Sequence, residues 1–226
     1  VIPSSINGYP VTSIGDCSFQ YLYSLTSVTI PNGVTNIGRQ AFELCESLRN
    51  LTIPNSVTDI GPSAFSSCHS MTGLAVPTGL TSIQSFTFYQ CSSLTRIIIP
   101  SAVTSINPYA FSQCDSLTNV TIFNGITRIA SHAFHGCTRL MQITLPDSLG
   151  IIEDFAFCDC DYLTSIIIPG AVTLIDKLAF ANCDSLTGIY FVGNPPTLGS
   201  DAFLDDDLLT VFYSPGTIGW LTPFGG

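Results

Sequence analysis

Apolar and polar positions recur together along this chain with a period of 23 residues. Phe19, Phe42, Phe65, Phe88, Phe111, Phe134, Phe157, Phe180 and Phe203 mark nine frames with no insertion or deletion between them. Seven of these phenylalanines are followed three residues later by a cysteine, from Cys45 to Cys183. All nine are followed six residues later by a leucine or methionine, from Leu25 through Met71 to Leu209. A period of this size means stacked units that bury a shared core, because one unit alone cannot cover its own apolar columns.

Within a frame the pattern predicts three elements. Nine and eleven residues after the phenylalanine come pairs such as Leu51 and Ile53, or Ile166 and Ile168, with a proline next in six frames. Apolar β-branched residues two apart predict a short strand with one face inward. Proline stops it, since it cannot donate to a ladder. A second extended piece follows, as in Val34-Thr35-Asn36-Ile37, whose inward residues are three apart and so predict a bend. Ala-Phe-x-x-Cys then places its apolar residues on one face of a single helical turn, which predicts one or two turns of α or 3-10 helix per frame. The expected fold is therefore an α/β, β-rich solenoid of parallel short strands forming one domain over residues 1–226.

Both ends depart from the pattern. Residues 1–24 form an atypical first frame, in which Ser4 to Pro10 reads as an inserted loop. Residues 192–226 decay: Val192 replaces the proline, Pro195-Pro196 replaces Val-Thr, and Asp206 replaces the cysteine. Such decay fits a capping unit, which must face water on one side. Val1-Ile2-Pro3 reads as a repeat already under way, and no signal peptide is visible.

Charge narrows the partners. The net charge of −10 falls on residues 147–226, where eleven acidic residues face Lys177 alone, while residues 1–146 balance. Nothing supplies the basic footprint that nucleic acid or an anionic membrane requires, and no apolar run is long enough to cross a bilayer. Seven of the nine cysteines share one inward column, so they read as small buried hydrophobes. Cys158 lies outside that column, at a position held elsewhere by Gln20, Glu43, Ser66 and Ser112, and is expected to be exposed and reactive.

Leu48-Arg49-Asn50-Leu51-Thr52-Ile53-Pro54-Asn55-Ser56-Val57-Thr58-Asp59-Ile60-Gly61-Pro62-Ser63-Ala64-Phe65-Ser66-Ser67-Cys68 resembles the leucine-rich repeat of BspA-like surface proteins of bacteria and some protists. The resemblance covers nearly the whole chain, and it rests on buried positions, so it speaks to fold more than to ligand. It implies a right-handed superhelix of parallel strands, secreted or displayed on a cell surface, and used for adhesion or protein contact. The tail, with Trp220, is similar to the ends of some bacterial members.

Catalytic signatures are absent: there is no nucleophile elbow, metalloprotease helix, P-loop or dinucleotide fingerprint, and no column pairs a nucleophile with a base. No cofactor is implied. His132, His135 and Cys137 hint at zinc, but Cys137 belongs to the inward column and His132 to one shared with Gln40, Ser63 and Tyr109. Glu153, Asp154, Asp159, Asp161 and Asp205-Asp206-Asp207 hint at calcium, and solvated acids explain them as well. Threonine columns hint at ice binding, and also fit exposed strand residues.

The outward positions of the leucine strand form one face, and there a partner is expected. Small and polar at first, the face turns apolar and aromatic toward the C-terminus, with Ile167, Tyr190 and Tyr213 as a ridge and Arg96, Ile98 and Gln142 at its edge. The expected function is a non-enzymatic extracellular module binding a protein ligand. Alternatives are a glycan surface using Tyr190, Tyr213 and Trp220, or a structural spacer. Tyr190 and Tyr213 could also simply pack under the tail.

Overall fold

The computed structural model describes residues 1–220. Leucine strands run over Ser27–Thr29, Asn50–Thr52, Arg96–Ile99, Asn119–Ile122, Gln142–Thr144, Ser165–Ile168, Gly188–Phe191 and Thr210–Tyr213. They pair in parallel within three sheets, the first made of Ser27–Thr29 and Asn50–Thr52, and one period apart except in the last coil, so that Asn119 faces Arg96 on one side and Gln142 on the other. Alternation along each strand buries Ile97 and Ile99 while exposing Arg96 and Ile98, the outcome expected of a strand with one face inward. Each repeat proline accepts a turn hydrogen bond three residues on, as from the Val57 N–H to the Pro54 carbonyl at 3.0 Å, but ahead of Pro77 the strand expected at Leu74 and Val76 is not formed.

The second extended pieces are two-residue strands such as Asn36–Ile37 and Ser105–Ile106. They form ladders of three and six strands around the coil from the leucine strands. One continuous core fills the space between, from Ile14 to Phe203. Phenylalanines 42 to 180 of the repeat column are at most 1% exposed. Their rings stack nearly parallel, with centroids 5.1 to 5.8 Å apart from Phe42 to Phe180.

The helical turn expected at Ala-Phe-x-x-Cys is not formed, and no helix occurs among the described residues. An α-helix is about 10 Å across with its side chains, whereas successive phenylalanines here stack 5.4 Å apart, as Phe42 does on Phe65. A wider element cannot follow that spacing. The segment instead places the residues two before and two after each phenylalanine in the left-handed region, in all nine coils, as at Gln40 (φ 54°) and Leu44 (φ 60°). Its donors then alternate. The Phe42 N–H bonds to the Ala64 carbonyl of the next coil at 2.8 Å, and the Cys45 N–H closes a turn onto Phe42 at 3.2 Å. A helix would satisfy its donors within the coil and leave this ladder unmade.

The cysteine column acquires a reason from the same geometry. Each Sγ–H donates to the phenylalanine carbonyl one coil back, for example Cys114 to Phe88 and Cys137 to Phe111 at 3.2 Å. A small side chain with a weak donor fits a dry column that offers an acceptor at every level. Burial pushes the thiols of Cys91 and Cys137 up to about 12.

The loop expected at Ser4 to Pro10 is closed as a hairpin: Ser5–Ile6 pairs antiparallel with Tyr9–Pro10 across Asn7-Gly8, both at positive φ. Asn-Gly is the favoured pair for that two-residue turn. In the last coil the strand slips by one residue, so Tyr190 faces Phe212 and Phe191 faces Tyr213. Phe212 is thereby exposed, and Val211 takes the half-buried place facing Ile189. Of the expected cap at 192–226, residues 221–226 lie outside the described residues.

Candidate functional site: a groove on the leucine-strand face

The leucine-strand ladder is divided. Arg96–Ile99, Asn119–Ile122 and Gln142–Thr144 make one three-stranded sheet, and Ser165–Ile168, Gly188–Phe191 and Thr210–Tyr213 make another. At the division Ile143 is only half-buried, although its equivalents Val120 and Ile166 are 1% and 2% exposed. A groove of about 660 Å³ opens there. Gln142, Ile143 and Thr144 line one side; Ile167, Tyr190, Phe212 and Tyr213 line the other, with Asp147 and Ser214 at one end.

Four of the six residues singled out in the sequence thus line one groove: Gln142, Ile167, Tyr190 and Tyr213. Arg96 and Ile98 are exposed on the same face but lie two coils away and outside it. Ile167 is 62% exposed, which leaves a large aliphatic side chain on open sheet. Tyr190 stacks on Phe212 at 4.6 Å, and Tyr213 stacks on Trp220 at 4.8 Å, with Trp220 also 5.0 Å from Phe191. The tail therefore covers one face of Tyr213, while Tyr190 and Phe212 stay 42% exposed as a pair. Sequence reading misses Phe212, because the constant period puts it inward; only the strand slip brings it out.

Other candidate chemistry falls as follows. Cys137 is fully buried and bonded to the Phe111 carbonyl, so it cannot join His132 and His135 at one metal. Cys158, expected to be exposed, is 5% exposed, as are its equivalents Ser66 and Ser112 at 5% and 1%. Burial first, and then Asp159, pushes its thiol up to about 12, so the buried sulfur keeps its proton unless another cation takes that place. Among the potential calcium residues, Glu153 pairs with Arg128 at 3.1 Å and accepts the Ser131 N–H at 2.8 Å. The hydroxyls of Thr35, Thr104 and Thr173 donate to carbonyls one coil back, at 3.2 to 3.3 Å, and so serve the solenoid itself. No helix among the described residues is long and apolar enough to cross a membrane.

With stacked coils and an outer sheet face in view, the class is that of a leucine-rich repeat solenoid. The family profile of the BspA type leucine rich repeat region matches residues 12–124 and 104–219, in six copies, and the chain belongs to that family. A leucine-rich repeat protein of T. pallidum is similar at 31% identity, covering 72% of this chain and 76% of that one, with a TM-score of 0.69. A leucine-rich repeat protein from Eubacterium ventriosum shares the fold at 18% identity, TM-score 0.56, over 93% and 83% of the two chains. The pneumococcal vaccine antigen PcpA does so at 21% identity, TM-score 0.55, over 93% of this chain and 62% of that one. No curated protein sequence matches the chain.

Proposed function

We propose that this protein is a non-enzymatic recognition module, secreted or displayed at a cell surface, and that it binds a protein ligand in the groove between Gln142–Thr144 and Ser165–Ile168. Residues 1–226 act as one repeat domain, with 1–24 and 192–226 as its end units. The observation that carries this reading is Ile167 standing open beside the stacked Tyr190 and Phe212, over a half-buried Ile143. Exposed aromatic and aliphatic side chains around a concavity are what binding hot spots are built from. Asp147 at the groove and the net −10 of residues 147–226 favour an apolar segment with basic flanks.

A glycan reading is weaker. Sugar rings need free aromatic faces, and Tyr190, Tyr213, Phe212 and Trp220 each spend a face on one another. The deciding experiment sets a displayed-peptide library and a glycan array against the purified protein. Peptides with apolar cores and basic flanks, bound more weakly as salt rises and lost on combining Ile167→Ser with Tyr190→Ser, are the expected result. Binding to a glycan alone, or peptide binding that survives the double substitution, would overturn the proposal.

A further inference from the structure

On the turn side of the solenoid, away from the groove, two adjacent coils bring together a histidine, a cysteine and an aspartate. We propose that His135, Cys158 and Asp159 form a site for a divalent transition metal of the zinc class. His135 and Cys158 are stacked equivalents, each one residue after its phenylalanine, and Asp159 follows directly. One ligating atom from each (imidazole nitrogen, Sγ, carboxylate oxygen) lies within 4.8 Å of the other two. Zinc bonds of about 2.0–2.3 Å in tetrahedral geometry set donors roughly 3.3–3.8 Å apart. The three atoms therefore need to close by at most about 1.5 Å.

The second observation is an unmet need. His135 Nδ1 is shut off from solvent and has no hydrogen-bond partner. The nearest carboxylate oxygen, Asp159 Oδ2, stands 3.5 Å away, too far for a hydrogen bond. Asp159 is held in place from the next coil, where Asn182 donates to its Oδ1 at 2.7 Å and so leaves Oδ2 toward the histidine. Sulfur and imidazole donors select zinc-like ions over calcium or magnesium. Three protein ligands leave a fourth position for water or a further donor. On binding, the metal takes the place of the Cys158 thiol proton, which passes to solvent, and the sulfur binds as thiolate.

The repeats supply their own controls. Ser66 and Ser112 occupy the repeat position of His135 and Cys158 in other coils, and Asn182 that of Asp159, so His135→Ser, Cys158→Ser and Asp159→Asn are each compatible with a coil. The test titrates cobalt(II) into chelator-treated protein carrying Cys17→Ser, which removes the exposed thiol. One equivalent should bring up a near-ultraviolet thiolate-to-cobalt band, displaced by zinc, with a higher thermal midpoint in zinc than in chelator. Cys158→Ser and His135→Ser should each abolish the band, and Asp159→Asn should weaken binding at least ten-fold. Absence of the band at stoichiometric cobalt, or a band that survives Cys158→Ser, would overturn the site. Should one variant fail to fold, the other decides.

Discussion

At the scale of the residue, one acid carries most of the expected pH dependence. Asp206 stands where every earlier coil but the first has a cysteine, and is 8% exposed. Its Oδ1 accepts the Cys183 N–H at 2.8 Å, but its buried Oδ2 has no partner. Burial, more than the neighbouring Asp184, Asp205 and Asp207, raises its pKa from 3.8 to about 7. A carboxyl whose folded pKa is raised holds its proton more tightly when folded, so stability falls as pH rises from about 4 to about 7 and is level beyond. Asp115 and Asp161, also raised chiefly by burial, act in the same direction. Asp206→Cys restores the column, and at pH 8 it should raise unfolding stability by roughly 2–4 kcal/mol. Urea titrations of both proteins at pH 5 and pH 8 check this: the gap should widen at pH 8, and a constant gap would contradict it. The thiols give a second reading at this scale. Of the nine cysteines only Cys17 is exposed. A maleimide should therefore label one site in the native protein and nine after denaturation, whereas rapid native labelling of Cys158 would return it to the surface.

At the scale of the element, the turn segment is where sequence and structure part. Most leucine strands, the proline stops and the bent second strand are legible, because alternation and β-branching report a strand; Leu74 and Val76 keep the inward pattern yet form none. Ala-Phe-x-x-Cys reads as helical because 3.6-residue periodicity and a turn of alternating left-handed residues both bring alanine, phenylalanine and cysteine inward. What separates them is the coil spacing, which no single frame contains. Gln113, at φ 58°, gives the discriminating substitution. Both Gln113→Gly and Gln113→Val lose the bond from Gln90 Nε2, at 2.8 Å, so their difference isolates the backbone. In the left-handed region glycine should be the more stable by about 1–2 kcal/mol. In a helix valine would be favoured by a few tenths of a kcal/mol. Chemical denaturation of the two variants reads the order directly. The strand slip that exposes Phe212 is illegible for a related reason: Val211 and Phe212 are both apolar, so either could face in.

At the scale of the whole molecule, each coil is folded by the coils beside it. Phe111 stacks between Phe88 and Phe134, with centroids 5.3 Å away on each side, while Phe203 has a repeat ring on one side only, 5.6 Å off. Phe111→Ala should cost about 3–5 kcal/mol, and Phe203→Ala clearly less, as urea unfolding of the two would show. This arrangement hides the residues by which the family is recognised and leaves ligand choice to the outward lining, where the period places residues but does not fix their identity. The candidate site is accordingly half legible: Gln142, Ile167, Tyr190 and Tyr213 follow from the outward columns, but the division of the sheet that joins them into a groove does not. Affinity for a selected peptide, compared between two double variants, tests that groove most directly. Ile167→Ser with Tyr190→Ser should lose roughly 30-fold or more, as expected for hot-spot residues, while Arg96→Ser with Ile98→Ser on the same face should stay within about three-fold, the range of peripheral contacts. Equal losses in the two pairs, or a larger loss in the second, would contradict a recognition site confined to the groove between Gln142–Thr144 and Ser165–Ile168.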